Sequence, residues 1–488
     1  VIAWFTPLFL DAWSLVRVED PDHPDAVARS ETGAVLLAPP ADGPYDEELV
    51  PEPLAVVATE ARAALGTEGW HAAGHDGHGV RVAIFDVQFN GDLDPDELGD
   101  FTTHDCFAHP SCEVPIDAWN PTFAFEQGGH GIACAEVVHD VAPGAELALV
   151  RINGRTTLEN AVAWAIREDV DVVSLSMAFL AGSFHDGSGP VSRVAHELAA
   201  AGVLLVVSSG NYAGSHWGGP WRDVDRDGRL DFDGSNGLDV WFDPGGPGVV
   251  LSWDQFGACG LTDLDVLVLA DDGDVIGRGD APQLPAARRC GPVERVRVSG
   301  PERALGRVEV HHVRGPTADL DVDLLSLRSR FATPRAEGSI ADPASSPFAF
   351  TVGAVDATGY LHNPAEPFSS VGDRLRSPFK PDVAGPDGLS TTIYGSRGFF
   401  GTSASAPAVA GAAAVLLSRE PELSPIEAGE RLRAAAWADG PGATSVTSPI
   451  GSGRVRLGTP DSGGPGCLGG GAAALLWWPW VWAGRRRR

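Results

Sequence analysis

Five apolar runs of strand length mark the chain: VRVAIFD (80–86), AELALVR (145–151), VDVVSLS (170–176), VLLVVSS (203–209) and FAFTVGAV (348–355). Between and after them lie stretches of helical periodicity: GIACAEVVHDV (131–141), TLENAVAWAIRE (157–168), VSRVAHELAAA (191–201), a small-residue segment from Ser403 to about Leu417, and PIEAGERLRAAAW (425–437). Near-continuous apolar strands alternating with amphipathic helices predict an α/β fold with a parallel sheet covered on both faces. Over 249–327 the period changes. VVLSW, DLDVLVLA, RVRVS, GRVEVHHV and DLDVDLLSL alternate polar and apolar positions, which predicts an inserted antiparallel β-sandwich.

This rhythm divides the chain into five parts. Residues 1–66 are a leader or propeptide-like segment, acidic and Pro/Ala-rich with little periodicity from 18 onward. The α/β domain runs over 67–214 and 336–459, the β-module over 215–335, and a linker and tail over 460–488. VIAWFTPLFL (1–10) is a short apolar run of the signal-peptide kind without a basic flank.

Composition narrows the function. With 35 Lys and Arg against 66 Asp and Glu, the net charge of −31 excludes a broad basic surface for nucleic acid. No apolar run reaches the ~18 residues of an ordinary membrane span. Of six cysteines, Cys106 and Cys112 lie 6 apart and Cys259 and Cys290 lie 31 apart; both pairs read as local disulfides of an oxidising compartment, against free thiols as the plain alternative. Cys134 and Cys467 have no evident partner.

Four local signals then fall in one order. Asp86 ends a buried strand, where open α/β sheets place functional groups. His130 follows a Gly pair and opens a helix. Asn211 sits just past a strand end, and Ser403 opens the small-residue helix in GTSASAP. A serine hydroxyl is a weak nucleophile that needs a base within reach, which His130 can be. A carboxylate, Asp86, can fix the imidazole tautomer. The Asn211 amide and a helix N-terminus can meet developing negative charge. Each piece alone is ordinary: a turn Asn, a loop His, an N-cap Ser.

Together, in the order Asp, His, Asn, Ser, they make the sequence resemble the subtilisin-like serine peptidases over about 67–214 and 336–459. APGAEL (142–147), KPDVAGPDG (380–388) and GSGRVRL (451–457) add to the likeness. The resemblance implies a subtilisin-like parallel sheet and a secreted or surface-attached serine endopeptidase. In it Asp86, His130 and Ser403 form the triad, Asn211 is the oxyanion donor, and no cofactor enters the chemistry. Ser174, Leu175, Ser176 and Met177, with Ser208, Ser209 and Gly210, would line the cleft where a peptide adds as a strand. Val87-Gln88-Phe89 follow Asp86 where the family prefers Thr or Ser and then Gly. Ile132, Ala133 and Glu136 replace the family's Thr, His and Gly after His130. Cys134 stands where the proteinase-K-like branch also carries a Cys. The rival readings are a catalytically weak binding or adhesion protein on this scaffold, and an esterase, whose Ser precedes its Asp and His.

Two features lie outside that core. DVDRDGRLDFDG (223–234) puts Asp223, Asp225, Asp227 and Asp231 at the spacing of a calcium loop but carries Gly234 where the twelfth-position Glu belongs; a solvated acidic turn is the alternative. Cys467, LGGGAAALLWWPWVWAG and Arg485–Arg488 resemble the C-terminal sorting tails of myxobacterial surface proteins, which implies transient membrane association.

Overall fold

The computed structural model describes residues 59–91, 93–116, 128–242, 248–258, 260–283, 291–298, 304–373, 376–377, 379–437 and 448–460, together with the backbone of 14–18, 26–30, 33–38, 46–47 and 52–53. The strand Glu52–Pro53 (β1) comes first among the elements that matter to the site. The α/β part follows with Arg81–Asp86 (β2), Phe101–Asp105 (β3), helix His130–Val141 (α1), Glu146–Arg151 (β4) and helix Arg155–Arg167 (α2). Then come Val172–Leu175 (β5), Met177–Ala178 (β6), helix Pro190–Ala201 (α3) and Leu204–Ser208 (β7). After the insertion lie Phe350–Asp356 (β8), Val383–Asp387 (β9), the hairpin Leu389–Thr391 (β10) and Gly395–Phe399 (β11), and helices Thr402–Arg419 (α4) and Pro425–Ala435 (α5).

Seven strands form one parallel sheet in the order β9-β8-β7-β5-β2-β4-β3. Alternate residues of each strand face opposite ways, and the core splits accordingly. Val82, Ile84, Leu147, Leu149, Val206 and Val352 pack with α1, α4 and α5. Ala83, Phe85, Val150, Val173, Leu205 and Val207 pack with α2 and α3 on the other face. Two strands of this sheet are not among the predicted apolar runs. β3 reads FTTHD and is a half-exposed edge strand; β9 contains Gly-Pro, which reads as a turn. The reversal in strand order places the carboxyl ends of β2, β5 and β7 together, the position at which such sheets carry their sites.

Between β7 and β8 the chain builds two antiparallel sheets, one of four strands and one of five, over a shared core that includes Trp217, Phe232, Trp253, Val266 and Val310. The five runs predicted from alternation are strands of these sheets. At the other end, Ser14–Val18, Ala26–Ser30, Gly33–Ala38 and Asp46–Glu47 form a four-stranded sheet where the sequence shows little periodicity. Cys106 and Cys112 are joined by a disulfide. Cys259, Cys290, the apolar run 1–10 and the tail from 461, with Cys467, lie outside the described residues. Among the described residues, no helix is long and apolar enough to cross a membrane.

Candidate active site

The first residue of α1, His130, is brought to the end of β2 by the glycine that follows it. A Cβ on Gly131 would lie 2.7 Å from Asp86 Cβ and 2.6 Å from Phe89 Cε1, so a larger residue would push the helix away from the strand. With that approach, His130 Nδ1 donates to Asp86 Oδ2 at 2.6 Å, both groups being buried. Asp86 Oδ1 takes the Gln88 amide at 2.9 Å. The carboxylate thus fixes the proton on Nδ1 and leaves Nε2 as the basic nitrogen.

Ser403 is the second residue of α4 and has no solvent exposure. Its carbonyl would ordinarily accept the amide four residues on, but residue 407 is Pro and has none. Other donors take that place: Ser176 Oγ at 2.9 Å and Cys134 Sγ at 3.7 Å. The Pro of GTSASAP therefore leaves a carbonyl that ties the Ser403 turn to β5–β6 and to α1. Ser403 Oγ itself makes no hydrogen bond. In enzymes without substrate, catalytic hydrogen bonds are often long or poorly aligned.

Asn211 lies just past β7. Its Oδ1 accepts both the Thr402 amide and the Thr402 hydroxyl, each at 3.0 Å, and Gly210 N donates to Thr402 Oγ1 at 3.1 Å. Two donors on Oδ1 settle the amide's orientation, with Nδ2 as its remaining donor.

The residues predicted to line a cleft separate into two kinds. Ser174 and Leu175 belong to β5 and are paired on both sides inside the sheet. Ser208 sits inside it too, paired with β8, whereas Ser209 and Gly210 follow the strand end. Met177 and Ala178 form β6, which pairs antiparallel with β1: Met177 opposite Pro53 and Ala178 opposite Glu52. A segment of the chain's own N-terminal region thus adds as a strand beside Ser176.

The departures around His130 have local uses. Glu136 accepts the Thr392 amide at 2.8 Å and also the Thr392 hydroxyl, fastening the turn between β10 and β11 to α1. Burial raises the Glu136 carboxyl above its usual range. Across the same hairpin Tyr394 stacks on Phe399, whose ring lies edge-on to His130 at 5.9 Å. Burial pushes the Cys134 thiol well up, with the Asp86 carboxylate adding to the shift. Ligand atoms of Asp86, His130 and Cys134 lie within 4.8 Å of one another.

In the acidic loop, carboxylate oxygens of Asp223, Asp225 and Asp227 come within 4.8 Å of each other. Asp231 instead turns Oδ2 to the Val224 amide at 2.6 Å. Asp227 also accepts from Asn236 Nδ2 at 2.6 Å. The donor set is all oxygen, which suits a hard cation such as calcium.

One residue the sequence reading missed is Asp387, at the end of β9. It is fully buried, and its Oδ2 accepts the Gly401 amide at 2.9 Å. Its position inside KPDVAGPDG gave no hint, because the contact spans fourteen residues and a hairpin.

The model of the Subtilase family matches residues 74–224 and 332–453. Among solved structures, the CspB protease of Clostridium perfringens is similar at a TM-score of 0.55 and 17% identity, over 82% of this chain and 96% of that one. The MycP3 protease of the type VII (ESX-3) secretion system gives a TM-score of 0.42 at 18% identity, over 84% of this chain and 91% of that one. At 17% identity the likeness to the CspB protease speaks for the fold, and the matched family segments lie on either side of most of the antiparallel insertion, the first reaching past its strand His216–Pro220.

Proposed function

The chain belongs to the subtilase family of serine peptidases, and from that premise we propose that it is a secreted or surface-attached endopeptidase acting through Asp86, His130, Ser403 and Asn211. The observation that carries this reading is the buried 2.6 Å bond from His130 Nδ1 to Asp86, with Asn211 held by the residue next to Ser403. His130 Nε2 takes the Ser403 proton as Oγ attacks a peptide carbonyl. The oxyanion meets Asn211 Nδ2 and the first amides of α4. Imidazolium returns the proton to the leaving amine, and water repeats the cycle on the acyl-enzyme. Peptide residues before the scissile bond pair with β6, the edge now paired with Glu52–Pro53. Residues 1–66 are on this reading a propeptide, displaced before a substrate reaches Ser403. The tail from about 460 is a removable sorting signal, and a structural calcium in the Asp223–Asp227 loop supports the inserted module.

The full burial of Ser403 and His130 favours a second reading, a binding protein on a peptidase scaffold. Fluorophosphonate labelling separates the two. The peptidase labels once, at Ser403, after its N-terminal segment is removed by limited proteolysis; the scaffold protein does not label under either condition.

A further inference from the structure

We infer that Asp387 is a positioning residue for the proposed nucleophile, acting through the amide of Gly401. The inference rests on the reading of Ser403 as that nucleophile. Gly401 immediately precedes α4 and has φ 123°, a conformation that residues with a side chain rarely adopt. It is the freest joint in the turn that carries Thr402, which holds Asn211, and Ser403. What fixes its amide is Asp387 Oδ2, at 2.9 Å. One carboxylate at the end of β9 thereby holds the entry to the helix that carries both the attacking group and the partner of the oxyanion donor.

The same carboxyl is costly to keep. Its other oxygen, Oδ1, is buried with no hydrogen-bond partner. Asp356 at the end of β8 and Glu366 after it face Asp387 with like charge. Arg397 on β11 is the cation near it, and that guanidinium is bonded to both Asp356 oxygens at 2.9 and 3.1 Å. Burial first, then the two acids, push the Asp387 carboxyl up to about 7, while the Gly401 amide pulls the other way. An amide side chain would accept the Gly401 N–H without charge. A carboxyl adds an acceptor whose strength depends on protonation: charge-assisted and strong when ionised, weaker when neutral. Lowering the pH through neutrality thus weakens the acceptor that holds the Gly401 turn.

The test is the acid limb of the pH profile on the full chain, activated by limited proteolysis. In wild type the acid limb includes the protonation that weakens the Asp387 acceptor, so log kcat against pH falls more steeply than in Asp387→Asn. In Asp387→Asn the acceptor no longer titrates, so that extra fall is absent. Asp387→Ala removes the acceptor and lowers kcat at pH 8 at least tenfold, with KM within about twofold. Equal slopes in wild type and Asp387→Asn overturn the inference even if the Ala variant does not fold, and so does an Ala variant with wild-type kcat. Fluorophosphonate labelling of wild type is run alongside. If wild type does not label, the peptidase reading itself fails, and this inference with it; if it labels and the slopes agree, only this inference fails.

Discussion

Thr402 gives both its amide hydrogen and its hydroxyl to Asn211 Oδ1, each at 3.0 Å. The residue before the proposed nucleophile therefore decides which end of the Asn211 amide is presented as a donor. Asn211→Ala should lower kcat by about 10²–10³, the usual loss for one oxyanion donor, with little change in KM. Thr402→Val keeps the backbone bond and loses both hydroxyl bonds, the one to Asn211 and the one from Gly210, so a fall of about ten- to a hundredfold is expected, in line with two neutral hydrogen bonds. Steady-state kinetics on a peptide anilide measures both. A Thr402→Val enzyme more damaged than Asn211→Ala would contradict the orientation argument.

Cys134 should make the enzyme sensitive to mercurials without serving the reaction. Its thiol is buried and raised, so inactivation should be slow and should quicken as pH rises. Mercury bound there would lie within reach of His130. Cys134→Ala should keep activity within about threefold, because it removes only the weak thiol donor to the Ser403 carbonyl while Ser176 still donates there, and should lose the sensitivity. Residual activity followed over time with a mercurial decides the matter; an Ala variant as dead as Ser403→Ala would give the thiol a catalytic role.

Asp387 also predicts a pH dependence of stability. Its folded pKa, about 7, is above that of an unfolded Asp, so between about pH 4 and 7 the folded chain holds a proton that the unfolded chain has lost. Its contribution to stability is greatest below about pH 4, declines as pH rises to about 7, and is level above. The full decline is up to about 4 kcal/mol. Denaturant unfolding from pH 4 to 8 should show Asp387→Asn losing less stability than wild type over that window. Parallel curves would rule out a buried acid of raised pKa.

Calcium should raise the unfolding temperature of the full chain if Asp223, Asp225 and Asp227 hold it. At a hundred times its dissociation constant the ion adds about 3 kcal/mol. The double variant Asp225→Asn, Asp227→Asn should melt where wild type melts in chelator. Identical melting of wild type with calcium and with chelator would remove the metal from the account.

The four groups of the proposed chemistry were legible because each sits at a punctuation mark of the chain: Asp86 and Asn211 at strand ends, His130 and Ser403 at helix starts behind glycines. The two sandwich sheets were legible from period-two alternation. The β3 edge strand was not, since FTTHD is half-exposed and has no apolar run. Nor were the partners that hold the site. Thr402 meets Asn211 across 191 residues, Thr392 meets Glu136 across 256, and Ser176 meets Ser403 across 227. A departure such as Glu136 looks like a defect in a motif until the hairpin it fastens is in view. Pro407 shows the reverse: its lack of an amide is written in the sequence, but the carbonyl it releases has meaning only beside Ser176.

The central claim is that Ser403 is the nucleophile of a peptidase. The most direct measurement compares wild type and Ser403→Ala, both with the N-terminal segment removed, for fluorophosphonate labelling and hydrolysis of unfolded casein. Wild type should label with one equivalent and hydrolyse casein. Ser403→Ala should fold with the same circular dichroism, take no label and lose turnover by about 10⁶, as triad members act as a unit. Casein hydrolysis by Ser403→Ala at a rate near wild type would contradict the account.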